Sequence, residues 1–484
     1  MSITPELGAL GFLRWIWRQL TSMRIALILL LLLGVAAIPG SIFPQRSQNP
    51  MKVQEFFTNN PQLARWLDRV KIFDVYSSPW FSAIYLLLFI SLVGCVLPRT
   101  LEHLKAIGAK PPLTPKFLDR MEFHTELDQS PSSLDVAEKW LKKNNFRVRR
   151  EEKSISAEKG YLRETGNLLF HLSLLLILVA VGVGSLYGSK GEAILNVGER
   201  FINTPTSYDN ITFGKFQREG SLIPFSLNIT NFVATYDPAT NAPTDYKLTV
   251  QSSNPIGSKP VTRIVKVNSP LTFASTKIYL QANGYSPVVT VKDKSGKVVF
   301  SGPVAFLPQD GNLTSVGAIK IPDMKPQIGF VATFLPTADR SASRGAFSSY
   351  PEVLDPRLLL SVWAGNLGLD SGVPQSVYRI NTTKMQRIGL KALSLNQSYD
   401  FGEGSITFDG WKSWVNLQIV DDPGKMYALA GGLLAVLGLL ISLFTRQRRI
   451  WVKISDRVEV AGLAKNGVPG LNDEIEALVK VLKG

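Results

Sequence analysis

Cysteine is all but missing: the 484-residue chain holds one, Cys95, inside an apolar run. A single thiol cannot form an intramolecular disulfide, a CxxC pair or a cysteine-ligated metal or iron-sulfur centre, so thiol chemistry within the chain is excluded. Histidine is scarce as well, with His103, His124 and His171 as the whole supply. A Ser-His-Asp triad or a histidine-ligated zinc would have to draw on one of these three. The long stretch 188–425 contains neither histidine nor cysteine, and so lacks the usual ligands for haem iron, zinc or copper and the usual base for acyl transfer. Binding or scaffolding remains for it. Charge is also sparse, at 19% against 45% hydrophobic residues, yet the net value is +15. In a soluble chain that excess would suggest nucleic acid. Here it is read as topology instead, because the hydropathy points first to a membrane.

What the chain has in quantity is unbroken apolar sequence. Four segments approach the about 20 residues that a bilayer core requires. They are 25–43, 79–97, 166–187 and 426–444, and none contains Asp, Glu, Lys or Arg. The first also offers Val35-Ala36-Ala37, small residues of the kind a signal peptidase cleaves after. The 24 residues ahead of it, with Trp15 and Trp17, are long for a signal n-region, so an uncleaved anchor is the working reading. Arg14, Arg18, Arg24, Arg99, Lys105, Lys159, Arg163, Arg446, Arg448 and Arg449 flank one set of span ends. By the positive-inside rule both termini and the middle loop are then cytoplasmic, and 44–78 and 188–425 lie outside. Trp80, Tyr187, Tyr427 and Trp451 fall near span ends as an interfacial belt, and 1–24 reads as an amphipathic helix on the inner membrane surface.

The soluble parts differ in kind. The loop 98–165 opens with a proline-marked linker. It then reads as a compact β-α-β-β unit: a strand from Met121 to Leu127, a helix capped by Ser132 or Ser133, and two short strands. The segment 188–425 carries short β-branched and aromatic runs separated by Gly, Pro, Asn and Asp, which predicts an all-β, sandwich-like extracytoplasmic domain. Within it, VVTVKDKSGKVVF reads as a hairpin turned at Lys294-Ser295-Gly296. The sequons at Asn210, Asn228, Asn312, Asn381 and Asn396 are taken as ordinary polar loop sequence of a bacterial chain. The remainder, 445–484, is expected as a cytoplasmic tail. The fold class is thus a membrane protein with four transmembrane helices, a large all-β extracytoplasmic domain and a small α+β cytoplasmic loop domain.

His171 is the residue that the pattern singles out. It lies inside the third span near its basic, inner end, where an ionisable side chain is costly without a partner. A neutral imidazole there can serve as an axial ligand to haem iron, or can simply hydrogen-bond across a helix interface or reach toward headgroups. His124 alternates with Met121, Phe123 and Thr125 and is expected on a solvated strand face with Glu122 and Glu126; His103 is expected at the surface, and Cys95 as a packed small residue.

LTSMRIALILLLLLGVAAIPGSIFPQ resembles the opening of the ResB family of system II cytochrome c biogenesis proteins, with Pro44-Gln45 as its Pro-Gln pair. SLVGCVLPR at the end of the second span, FHLSLLLILV in the third and the Asp422-Pro423-Gly424 entry into the fourth are similar to that family too. The resemblance implies a subunit that helps move haem b across the plasma membrane, of a Gram-positive bacterium for instance, and present it to apocytochrome c. It also implies a CcsA/ResC-type membrane partner with a tryptophan-rich haem-binding segment. This chain has no such segment, its nearest approach being Gly410-Trp411-Lys412-Ser413-Trp414. Under the resemblance it is no enzyme by itself, has no nucleic-acid partner and offers His171 as its one candidate haem ligand.

Overall fold

A computed structural model describes residues 8–46, 48, 50–121, 123–128, 133–342, 345–369, 376–464 and 470–483. Glu122 and Ser132, named above for a strand face and a helix cap, lie outside them. The chain divides into two compact units, Met1–Val181 with Gly424–Gly484, and Gly182–Pro423.

The first unit carries the apolar helices. The described residues contain four long enough and apolar enough to cross a membrane: α2 (Met23–Ile42), α5 (Pro79–Ile107), α7 (Leu162–Tyr187) and α8 (Lys425–Phe444). Their starts follow helix-start chemistry: the Ser22 hydroxyl accepts from the Ile25 N–H, and Ser78 caps α5 ahead of Pro79 at its first position. α5 runs ten residues past the expected 79–97, through Pro98 to Ile107. Proline there removes one N–H without ending the helix, whose extension is held instead by side-chain contacts at His103. α1 (Ala9–Leu20) packs where α5 is small: a Cβ on Gly94 would stand 2.1 Å from the Thr21 methyl, and the Ser91 hydroxyl donates to the Leu20 carbonyl.

α7 and α8 approach through glycine in the same way. A Cβ on Gly166 would meet the Ser442 nitrogen at 2.6 Å, and one on Gly438 the Phe170 nitrogen at 2.6 Å. In lipid no hydrophobic effect draws helix to helix, so close backbone packing supplies the attraction.

Between α2 and α5 the chain folds into a small helical cap, α3 (Pro50–Asn59), α4 (Pro61–Arg69) and a 3₁₀ segment Ile72–Ser77. Val53, Ala64 and Phe73 form its core with Phe43, Phe56, Phe57 and Leu67. Gln45 ties it down: its amide donates to the Phe43 and Ile72 carbonyls, both at 3.0 Å, and its carbonyl accepts from the Val75 N–H at 3.0 Å.

The expected β-α-β-β unit does not close on itself. Its strands belong to a five-stranded antiparallel sheet in the order Phe123–Leu127, Val458–Ala464, Arg448–Ile454, Ser154–Lys159, Arg147–Arg150. The segment 445–484, expected as a mere tail, supplies the second and third of these strands. It also supplies α9 (Leu471–Lys483), which with α6 (Ser133–Lys143) covers Ile155, Ala157, Ile450, Val452 and Val460. The reason is geometric. Among the described residues the loop's first strand pairs with Val458–Ala464, so the tail strands join it to the rest of the sheet. Glu158, 2% exposed, accepts from the Arg449 guanidinium and the Gln447 amide across this sheet.

The second unit is β-rich, but it has two cores rather than one. Two antiparallel strands of 18 residues, Thr276–Asp293 and Gly404–Asp421, run through both. Around Ile278, Leu280, Val415, Leu417 and Ile419 they pack on the four-stranded sheet that brings Phe201, Leu227, Ile229, Leu248 and Val250. Around Val289, Val291, Ile406 and Phe408 they pack on the five-stranded sheet that brings Phe330, Phe334, Leu358, Leu360 and Val362. Thr276–Asp293 is continuous over its whole length and includes the first arm of the VVTVKDKSGKVVF hairpin. It tolerates Pro287 beside a register shift at Val288/Val289. The hairpin turn falls at Lys294-Ser295-Gly296, with Gly296 at φ +83° and the Asp293 carboxylate accepting from the Ser295 and Lys297 N–H groups.

Candidate membrane histidine site

His171 projects from the first half of α7, on a helix turn fixed from outside by glycine packing at Gly166. The side chain is half-buried, and its Nδ1 lies 2.7 Å from the Asn167 carbonyl one turn earlier. A carbonyl oxygen only accepts, so Nδ1 carries the proton and donates. In the neutral ring the lone pair is then on Nε2, the nitrogen farther from the helix backbone. The Phe170 ring stands edge-on to the imidazole, with centroids 5.2 Å apart and planes at 86°. The same geometry orients metal-bound histidines elsewhere, where one ring nitrogen donates to a carbonyl and the other binds metal. The residues therefore fit one axial ligand to haem iron, and among the described residues no cluster of His, Cys, Asp and Glu suited to an ordinary metal ion occurs.

The other two histidines depart from the sequence reading. His103, expected at the surface, is buried at 8% exposure: Nε2 lies 3.0 Å from the Thr165 hydroxyl and Nδ1 3.7 Å from the Glu164 carboxylate. The start of α7 covers it, which spacing along α5 alone could not reveal. His124, expected on a solvated face, is half-buried with Nε2 3.8 Å from Glu459, a residue of a tail strand. Cys95 is half-buried as a free thiol, with Sγ 3.4 Å from the Leu92 carbonyl, in keeping with a packing role.

The GWKSW segment is also a packing device. Trp414 is 2% exposed, lies over Gly284, and donates its indole N–H to the Phe306 carbonyl at 3.0 Å and the Tyr285 carbonyl at 3.2 Å. Burial also pushes the Tyr285 phenol above its ordinary pKa, and the hydroxyl donates to the Pro351 carbonyl. The sequence reading missed Gln45 as a clamp and Gly166 and Gly438 as an interface. The Pro-Gln pair was visible, but its bonding partners lie 27 and 30 residues away.

Four helices long and apolar enough to cross a membrane, together with a β-rich unit, define a membrane protein, with His171 half-buried within one of those helices. The comparisons narrow the class. Residues 23–476 match the ResB-like family, and the chain belongs to it. It is 26% identical over 478 residues to the cytochrome c biogenesis protein CcsB of Synechococcus sp. (strain WH7803), covering 95% of this chain and 96% of that one. The protein of the same name from Synechococcus sp. (strain RCC307) is 25% identical over 95% of this chain and 94% of its own length. A third, from Picosynechococcus sp. (strain ATCC 27264 / PCC 7002 / PR-6), is 22% identical over 98% and 94%.

Proposed function

We propose that this chain acts in cytochrome c maturation as a haem-handling subunit, holding haem b as cargo through His171 and helping to present it to apocytochrome c. The names carried by its relatives support the pathway. The observation that carries the haem role is the Nδ1 bond of His171 to the Asn167 carbonyl, which leaves Nε2 as the free lone pair of the neutral ring. Haem supplies the iron that this lone pair would ligate. The chain's own part is to hold the ring in one tautomer and to keep water from it within apolar surroundings.

In this reading both termini and the small α/β domain are cytoplasmic, the β-rich unit faces the other side of the plasma membrane, and a CcsA/ResC-type partner would supply further ligands to haem. The chain by itself is not a complete synthase. The basic residues at the ends of α5, α7 and α8 support that orientation.

Co-purification with such a partner, followed by absorption spectroscopy, tests it. Wild type is expected to show a Soret band and support cytochrome c maturation, and His171→Ala is expected to lose both. A pure scaffold predicts the opposite pattern: an unchanged spectrum in His171→Ala, and collapse of the partner's level when this chain is absent.

A further inference from the structure

We infer that the helical cap between α2 and α5 is an interfacial anchor, with one face of α4 seated in the headgroup region of the same bilayer that α2 and α5 cross. At about 100° per residue, α4 divides into three arcs. Ala64 and Leu67 share the arc that packs into the cap core. Arg65, Asp68 and Arg69 share a second, polar arc. Leu63, Trp66 and Val70 share the third, and they are 53%, 67% and 42% exposed. The apolar surface of α4 thus runs on past the core contact and forms an open face with a tryptophan at its centre. A helix that is charged on one side and apolar on the other, with an aromatic residue in the apolar part, is the pattern of one lying in the plane of a membrane interface.

How the cap is tied to the two spans identifies what covers this face. Phe43, directly after the last residue of α2, belongs to the cap core, where its ring stands edge-on to Phe73 with centroids 6.4 Å apart. At the other end the Trp80 indole N–H, in the first turn of α5, donates to the Val70 carbonyl at 2.9 Å. Neither connection has slack, so the cap is held against the ends of the spans, and Val70 stands at the depth where α5 begins. Tyr76 continues the belt: it is 47% exposed, and its ring lies against Gly40 in the last turn of α2. Trp66, Tyr76 and Trp80 are of the residue types that bilayer interfaces collect. The charge agrees, because Asp68 is paired with Arg46, which leaves the polar arc of α4 cationic through Arg65 and Arg69, the sign that lipid phosphates attract. A partner protein would have to meet the face at a depth that the bilayer already fills.

The test uses the full-length protein in nanodiscs of phosphatidylglycerol and phosphatidylcholine. Cys95→Ala removes the chain's single thiol, and a nitroxide-labelled cysteine is then placed on the open face (Leu63→Cys, Trp66→Cys or Val70→Cys) or on the polar arc (Arg65→Cys or Arg69→Cys). Electron paramagnetic resonance compares collisions of each label with oxygen, which partitions into lipid, and with a nickel chelate, which stays in water. The oxygen-to-nickel ratio is expected to be several-fold higher at the three positions of the open face than at the two arginine positions. All five residues are exposed, and melting temperatures check that each labelled protein keeps its fold; three positions on the face keep the comparison possible if one of them does not. Equal ratios on both arcs mean that the face stands in water and overturn the anchor. Loss of collisions with both reagents at Leu63 and Trp66 means that protein covers the face, a second copy or another chain, and overturns the bilayer as its occupant.

Discussion

Gln45 shows how much one side chain can hold. Its amide makes three hydrogen bonds to backbone groups at residues 43, 72 and 75, and it is itself 3% exposed. Beside it Arg46 pairs with Asp68 and Asp74 and stacks over Phe57 and Phe73. Gln45→Ala leaves the Val75 N–H buried without its acceptor, so a loss of about 2–4 kcal/mol is expected. Faster proteolysis within 44–78 at unchanged expression would register it; an unchanged cleavage rate would show that water replaces the amide at little cost. Trp414 is the counterpart in the β-rich unit. Trp414→Phe keeps an aromatic ring but loses the pyrrole half of the indole with the N–H shared by two carbonyls, with an expected cost of about 1–3 kcal/mol, read as a lower melting temperature.

At the level of elements, glycine decides which helices meet. α7 and α8 touch at Gly166 and Gly438, where the neighbouring backbone occupies the space a side chain would need, and at Gly431, where the Ile177 side chain does. Gly438→Val must push the Phe170 backbone away, and with it the turn that carries His171. The expected result is a destabilisation of about 1–3 kcal/mol and, in the co-purified complex, a weakened or shifted Soret band. Gly432→Val, on the same helix with open space around it, serves as the control and should change neither. A Gly438→Val protein with wild-type melting and spectrum would refute close packing as the support of His171.

Across the whole molecule, the small α/β domain is built from two distant parts of the chain. Its sheet interleaves strands from 123–159 with strands from 448–464, and α9 closes the apolar face. A chain stopped after Phe444 should therefore lose the domain altogether, not merely a tail. Limited proteolysis would then cut freely within 121–159, while the β-rich unit, whose strands all lie between 189 and 421, stays resistant. Protection of 121–159 in the truncated chain would mean that the loop folds alone.

The four spans were legible from the sequence because twenty apolar residues without charge have few alternatives, and their periodicity and caps are local. The β-rich character of 188–425 and the Lys294-Ser295-Gly296 turn were legible for the same reason, since alternation and turn chemistry act between near neighbours. His171 stood out because an imidazole in an apolar helix is conspicuous. The pairing of strands 300 residues apart, the burial of His103 under the start of α7, the second core of the β-rich unit and the threefold bonding of Gln45 depend on contacts that no window of sequence contains. Local chain energetics therefore settled which segments become helix, strand and span, and, through the bond of His171 to Asn167 one turn earlier, which nitrogen of that ring keeps its lone pair; packing between remote segments settled which of their faces are covered, because those contacts join residues that are far apart along the chain.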